Sequence, residues 1–319
     1  MSFSGSIKEE LSRQISPARH CQIAELAAIV SICGAVAIDS RGRYALRIHT
    51  ENLAVARKSF TLLTKTFNIG IDIAIRMNRV KGSVSYYMIV KNHEDAIRIL
   101  QAVKLIDQDG EVMEELSVVR NIVIRETCCK RAFIRGAFLA SGSMSDPKKS
   151  YHFEIVCASC EKAEQIQKIM QCFDLDAKIV PRKKTFVVYL KEGSQIVDVL
   201  NVMEAHVALM ELETVRILKE MRNSVNRKVN CETANINKTV SAAVKQIEDI
   251  KFIQETKGLE KLPEGLKDMA LTRLTYPEAS LKELGSLLAT PVGKSGVNHR
   301  LRKLSEMAEE LRAKQGGAV

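Results

Sequence analysis

The residues best suited to chemistry in this sequence lie near its C-terminal end, and the chemistry they offer is the binding of phosphates and base edges. Positions 294–303 read KSGVNHRLRK, a run with four lysines or arginines, one histidine and no acid. Lysine and arginine bind DNA phosphates, and arginine, lysine and asparagine also hydrogen-bond base edges in the major groove. This composition indicates a DNA-binding segment.

Two short helices joined by a turn are predicted to position these side chains. Ser280 can cap the first helix, with Glu283 completing a capping box, and Gly285 leaves room for the second helix to cross closely. Positions 289–294 break the helical pattern, and Ser295 is predicted to cap the second helix. The apolar positions are Leu281, Leu284 and Leu288 in the first helix and Val297, Leu301, Leu304, Ala308 and Leu311 in the second.

The face of the second helix opposite its apolar stripe is predicted to read DNA. Its acids begin only at Glu306, so the N-terminal half is suited to enter a major groove. The alternative is a helical hairpin with a solvated basic face, since the turn of about six residues exceeds the 3 to 4 that are typical of the motif. The predicted DNA contacts are Ser280, Lys282, Lys294, Ser295, Asn298, His299, Arg300, Arg302 and Lys303.

The segment YPEASLKELG followed by KSGVNHRLRKL resembles the C-terminal domain of the WhiA family of bacterial sporulation and cell-division regulators. The resemblance runs from roughly Ser2 to Leu311 and includes NRKVNCETAN. It implies a non-enzymatic, sequence-specific regulator of cell division, chromosome segregation or sporulation. It also implies a degenerate endonuclease-like domain, then a helix-turn-helix domain that resembles the DNA-reading domain of sigma factors. Double-stranded DNA is the implied partner, together with protein partners in transcription or division.

Length and charge agree with this interpretation. The chain has 319 residues, enough for two domains, and its formal net charge of +10 favours a polyanionic partner. No apolar run approaches the roughly 20 residues that cross a bilayer, and the N-terminus lacks a signal-peptide core. We therefore expect a cytoplasmic, nucleoid-associated protein without a membrane segment. No nucleotide-binding loop and no catalytic triad spacing is present, so we expect no cofactor.

The first two thirds of the chain repeat one order of elements. A helix over Ser4–Ser12, with Ser6 and Glu9 as a capping box, precedes the repeats. The first repeat is predicted as helix 23–37, strand 43–49, helix 52–67, strands 71–77 and 84–91 joined around 78–83, and helix 94–103. After a connection at 107–115, the second is predicted as helix 127–140, strand 151–157, helix 161–173, strands 177–181 and 186–191, and a helix from about 194. Such long repeats indicate two homologous halves about a pseudo-twofold axis.

This arrangement resembles the LAGLIDADG homing endonuclease fold, which is α+β, with two αββ-containing repeats, here about 20–105 and 125–205, forming a saddle-shaped sheet. In that family, the acid before the final glycine of each central helix holds the catalytic metal. Cys33 and Ser141 occupy those positions here. Neither suits magnesium, which prefers carboxylate oxygens. We therefore predict no catalytic residues, the alternatives being an active homing-type nuclease or a protein-interaction scaffold with a vestigial DNA domain.

Basic residues in the polar phase of the predicted strands offer a second, weaker DNA contact. Asp72 and Glu154 share this face, so a merely solvated or partner-binding face is an equal alternative. The basic candidates are Arg43, Arg47, Arg76, Lys178 and Arg182.

Composition divides the chain into an endonuclease-like domain over 1–222, a polar linker over 223–238 and a helix-turn-helix domain over 239–319. Helices are predicted over 204–222, 239–256 and 264–274. The eight cysteines are predicted to be free thiols. Cys157 and Cys160 form a C-x-x-C, but His152 and Cys172 do not supply the second ligand pair of a zinc site, so no metal is predicted.

Overall fold

The computed structural model describes residues 2–78, 82–106, 119 and 121–316. The chain divides into two compact units, residues 1–219 and 220–319. The predicted connections at 78–83 and 107–115 lie partly or wholly outside the described residues. Within the described ranges, no helix is both long and apolar enough to cross a membrane.

The first unit opens with α1 (Phe3–Arg13) and then contains two repeats of seven elements each. The first comprises α2 (Arg19–Cys33), β1 (Gly34–Ile38), β2 (Tyr44–Thr50), α3 (Leu53–Phe67), β3 (Asp72–Asn78), β4 (Ser83–Val90) and α4 (His93–Ala102). The second comprises α5 (Thr127–Ser141), β5 (Gly142–Met144), β6 (Phe153–Cys157), α6 (Cys160–Gln171), β7 (Lys178–Arg182), β8 (Thr185–Leu190) and α7 (Gly193–Met203).

Each repeat forms its own antiparallel sheet of four strands. The strand orders are β1-β2-β4-β3 and β5-β6-β8-β7, so the two repeats share one topology. The bounds of α2 and α5 differ by 108 residues at both ends, which aligns these two helices residue by residue. The predicted two-repeat α+β architecture is confirmed.

Strands β1 and β5 were not predicted from the sequence. The helix predicted over 23–37 ends at Cys33, and the chain passes directly into β1. An apolar run such as GAVAI fits a buried helix as well as a strand, so periodicity does not separate the two. The N-terminal capping box was also wrong, because Ser2 caps α1 by accepting from the Gly5 amide and Ser6 lies inside the helix.

Helices α2 and α5 pack against each other along the seam between the repeats. The approach is close at Gly136, where a Cβ would lie 2.4 Å from the Glu25 carbonyl oxygen. This confirms that small residues bring the two helices together. Every residue of α2 from Ala24 to Ser31 is buried, as its nearly uniform apolar sequence predicts.

A buried ion network crosses this seam. The carboxylate of Glu25 in α2 lies 2.9 Å from the Lys58 ammonium and 3.1 Å from Nε of Arg135 in α5. Arg135 also reaches Glu204 at 2.7 Å. Buried charges are costly unless paired, so removal of one partner would leave an uncompensated charge in the seam.

The polar segment 223–238 is helical rather than a break between two helices. It lies within α8 (His206–Thr256), a single helix of 51 residues. The segment has neither glycine nor proline, and all its side chains are exposed. The predicted solvated connection is thus a continuous helix, and its role as a linker stays a prediction.

The second unit is all-helical, with a 3₁₀ turn (Leu259–Lys261), α9 (Glu264–Thr275), α10 (Leu281–Leu287) and α11 (Lys294–Gly316) beside the C-terminal part of α8. Of the predicted apolar positions, Leu281 and Leu311 are half-buried and the other six are in the core. The core residues are Ile250, Ile253, Leu259, Leu262, Met269, Ala270, Leu284, Leu288, Val297, Leu301, Leu304 and Ala308.

Candidate nucleic-acid interface

Helix α10 begins with the predicted capping box. The Ser280 hydroxyl accepts from the Glu283 amide at 3.3 Å, and the Glu283 carboxylate accepts from the Ser280 amide at 2.8 Å. These hydrogen bonds, the backbone one foremost, lower the pKa of Glu283 below its usual value. Ser280 and Lys282 are both exposed at this end of the helix.

Gly285 allows the turn to fold back onto α10. A Cβ at this position would lie 2.3 Å from the Val292 carbonyl oxygen and 3.2 Å from Cγ2 of Val297 in α11. The Val292 amide donates to the Gly285 carbonyl at 3.0 Å. The close crossing predicted at Gly285 is therefore confirmed, and the turn supplies the nearest contact.

The second helix starts two residues earlier than predicted. Helix α11 begins at Lys294, and the Val297 amide donates to the Gly293 carbonyl, so Gly293 precedes the helix and Ser295 lies in its first turn. Serine is a favoured cap by type, but glycine is also accepted there. Lys294 and Ser295 are both exposed at the positive end of the helix dipole.

One exposed face of α11 brings together six of the predicted residues. Two rows at four-residue intervals lie side by side on it, and the buried positions Val297, Leu301 and Leu304 lie on the other side. We call these six the reading face of α11: Lys294, Asn298 and Arg302 in one row, and Ser295, His299 and Lys303 in the other.

Two arginines of α11 differ in their solvent exposure and in the groups they contact. Arg302 is exposed and pairs with Glu306, its Nε lying 2.9 Å from the carboxylate. Arg300, by contrast, is half-buried. Its guanidinium lies against Gly265 at the start of α9, where an added Cβ would lie 3.5 Å from Cζ of Arg300. The Arg300 side chain is thus placed toward α9, whereas the side chains of the reading face are exposed.

The outer face of the first sheet carries basic groups around one aromatic ring. Arg47 and Arg76 lie over Tyr87 with guanidinium carbons 5.8 and 5.3 Å from its centroid, and His49 stacks on it at 4.7 Å. Sequence reasoning found the two arginines and missed Tyr87, which the alternation of β4 places on the same face. Arg43 lies just before β2 and pairs with Asp39 at 2.8 Å.

The outer face of the second sheet is more nearly neutral. Arg182 lies 3.5 Å from Glu154, and Lys178 lies 2.7 Å from Asp176. In the first sheet, Asp72 is likewise paired, with Lys91 at 2.7 Å. Both acids that weakened the sheet hypothesis, Asp72 and Glu154, therefore have a cation beside them.

The seam end that holds a metal in homing endonucleases is built differently here. Cys33 is half-buried, and its thiol donates to the Ala140 carbonyl at 3.5 Å. Burial raises the pKa of this thiol to about 11, and the half-buried Lys8 ammonium interacts with it electrostatically. The Ser141 hydroxyl is buried without a hydrogen-bond partner among the described residues. A lysine and two non-acidic side chains do not provide ligands for magnesium.

Three family models match the chain: the WhiA N-terminal LAGLIDADG-like domain over residues 19–106, the WhiA LAGLIDADG-like domain over 130–222 and the WhiA C-terminal HTH domain over 225–308. The probable cell division protein WhiA of Lachnoclostridium phytofermentans is 56% identical over 313 residues, which cover 98% of this chain and 100% of that protein. The chain belongs to the WhiA family.

Other members of the family also match this chain over nearly its full length. The probable cell division protein WhiA of Alkaliphilus oremlandii is 49% identical and covers 98% of each chain. The crystal structure of full-length DUF199/WhiA from Thermotoga maritima is 27% identical, with a TM-score of 0.59, and covers 97% of this chain and 99% of that one. The first unit is therefore a LAGLIDADG-like domain and the second a helix-turn-helix domain of the WhiA type.

Proposed function

We propose that this chain is a non-enzymatic, sequence-specific DNA-binding regulator that acts in cell division, chromosome segregation or sporulation. The observation that carries the proposal is the reading face of α11. It presents lysine, arginine, histidine and asparagine side chains on a helix whose other side is fixed in a core, and its first acid is Glu306. Basic and amide side chains at the exposed N-terminal half of a helix are what major-groove recognition uses.

The link to cell division rests on the relatives, which bear the name probable cell division protein WhiA. A regulator of this kind acts on double-stranded DNA, so we also propose cytoplasmic, nucleoid-associated location and protein partners in transcription or division. The Arg47–Tyr87–Arg76 side of the first sheet offers a weaker phosphate contact, since aromatic and cationic groups lie together there.

The proposed absence of nuclease chemistry is supported by the residue types at the seam. Two-metal phosphodiester cleavage needs carboxylates that bind and orient the ions. Cys33 and Ser141 offer none, and the neighbouring Lys8 opposes a divalent cation. A supercoiled plasmid incubated with the protein and magnesium is expected to stay uncut, and metal-dependent nicking above the level of the buffer would refute this part of the proposal.

The DNA-binding proposal is tested by selecting bound fragments from the host genome and titrating them in mobility-shift assays. A regulator should prefer selected fragments over scrambled duplexes of equal length by at least about 10³-fold. A triple variant, Asn298→Ala with His299→Ala and Lys303→Ala, should lose that preference while its helical content is unchanged. Equal affinity of the unaltered protein for selected and scrambled duplexes would instead support a scaffold with a vestigial DNA domain.

A further inference from the structure

The N-terminal ends of the two seam helices carry a cluster of histidine and cysteine side chains that DNA binding does not explain. His20 and Cys21 lie in the first turn of α2, and Cys128 and Cys129 lie in the first turn of α5. Their ligand atoms all lie within 4.8 Å of one another. Each dipeptide occupies the same place in its repeat, since 108 residues separate His20 from Cys128 and Cys21 from Cys129.

The three sulfur atoms converge on one nitrogen. Nδ1 of His20 lies 3.2 Å from Sγ of Cys129, 3.4 Å from Sγ of Cys21 and 3.9 Å from Sγ of Cys128. The lone pair of a neutral imidazole nitrogen does not accept from three thiols at once. Thiol hydrogen bonding alone therefore does not account for the convergence.

We propose that His20, Cys21, Cys128 and Cys129 form a Cys₃His site for a zinc ion that ties the two repeats together. Zn–N and Zn–S bonds of about 2.05 and 2.3 Å in a tetrahedron place nitrogen and sulfur about 3.5 Å apart, which lies within the measured range. An iron–sulfur cluster separates its ligands over several iron atoms, whereas the ligand atoms of these four residues all lie within 4.8 Å of one another.

The surroundings allow a metal ion to reach the cluster. Both dipeptides lie at the positive N-terminal ends of helices, which would interact favourably with the negative charge of zinc-bound sulfur ligands. His20 and Cys128 are exposed, Cys21 and Cys129 are buried, and Cys21 and Cys128 line a surface pocket.

This site is distinct from the metal position of homing endonucleases. Twelve residues of α2 separate Cys21 from Cys33, which is about 18 Å along a helix with a rise of 1.5 Å per residue. Four nitrogen and sulfur ligands also complete a tetrahedron and leave no position for a reacting water. The zinc is therefore structural. The sequence prediction of no metal considered Cys157 and Cys160 with His152 and Cys172, and it did not consider this cluster.

The test uses the full-length protein, made without a metal-binding tag and purified under reducing conditions without chelators. Zinc, iron and copper are measured by inductively coupled plasma mass spectrometry, and cobalt is added to metal-free protein to record its tetrahedral thiolate spectrum. Close to one zinc ion per chain is expected, and a chelator should lower the melting temperature. Iron or copper at that level in place of zinc, or no metal and no cobalt spectrum, would overturn the proposal.

Matched serine variants assign the ligands. Cys129→Ser and the exposed Cys128→Ser should weaken zinc binding by more than the roughly 10- to 100-fold typical of an outer-shell loss. The buried control Cys157→Ser and the exposed control Cys231→Ser should retain it. If Cys129→Ser does not fold, zinc binding by Cys128→Ser still tests the site. Zinc retained at full affinity in Cys128→Ser would refute the site. So would a Cys21–Cys129 disulfide in protein purified from cells with a reducing cytoplasm.

Discussion

Arg302 provides the sharpest test of how α11 meets DNA. Its replacement by alanine removes an exposed guanidinium from the reading face without disturbing the core residues Leu301 and Leu304. If Arg302 makes a bidentate contact to a guanine, the change should cost about 1 to 3 kcal/mol on the preferred site. That corresponds to about 5- to 140-fold weaker binding, since 1.4 kcal/mol is tenfold.

The ion pair with Glu306 reduces the binding free energy that Arg302 contributes. Arg302 must leave Glu306 to reach a base, and an exposed pair at this spacing contributes about 0.3 to 0.5 kcal/mol. Glu306→Gln should therefore tighten specific binding by up to about twofold, because the free protein no longer has an ion pair worth about 0.5 kcal/mol to break on binding. The effect should be larger on the specific duplex than on a scrambled one.

Arg300→Ala is the matched control, because it removes the same charge two residues away. Its guanidinium lies against Gly265, so its loss should weaken specific and scrambled duplexes alike and leave base discrimination unchanged. Fluorescence anisotropy titrations of all three variants on both duplexes across a salt series give the comparison. Equal weakening of both duplexes by Arg302→Ala, or a larger loss of discrimination in Arg300→Ala, would show that the helix is oriented differently.

Three further changes test other parts of the fold. Lys294→Ala should weaken binding to every sequence alike and reduce the log–log salt slope by about 0.9, the share of one phosphate, which the same titrations measure. Cys33→Asp with Ser141→Asp should lower the melting temperature and give no magnesium-dependent plasmid nicking, because carboxylates in the seam lose hydration; cleavage would show a surviving active-site shell. The lowered pKa of Glu283 makes its cap stabilising above about pH 4.3, and this contribution is lost as pH falls through the folded pKa. Glu283→Gln keeps the acceptor of the capping box with Ser280, so melting curves from pH 6 to 3 should be flatter for the variant.

The helix-turn-helix was predictable because its signals are local. A capping box, a glycine at a crossing and apolar residues at helical spacing act within one turn of chain, and each was found where expected. The predicted start of α11 was wrong by two residues, since both Gly293 and Ser295 are acceptable caps by residue type and only the backbone geometry distinguishes them. The position of Arg300 depends on its contact with α9, which no spacing along α11 encodes.

The seam was less predictable because its determinants are long-range. The pairing of Glu25 with Lys58 and Arg135 joins three separate helices, and sequence gave no sign of it. Strands β1 and β5 were hidden because the chain leaves a buried helix directly for a strand. The cysteine cluster had a detectable signal in the repeat itself, because shifting the chain by 108 residues places HC at 20–21 over CC at 128–129.

The two ends of the seam helices differ in their capacity to bind a metal ion. A catalytic magnesium site needs carboxylates, bound water and an open coordination position, and the Cys33 end offers a half-buried thiol beside Lys8. A structural zinc site needs thiolates and imidazole in a closed tetrahedron, and the His20 end brings these atoms together at the positive ends of both helices. Zinc bound there would hold α2 and α5 in register without any route to phosphodiester cleavage. Metal content and nuclease activity are therefore independent properties of this fold, and a zinc-loaded protein that cuts no DNA is the outcome that both proposals require.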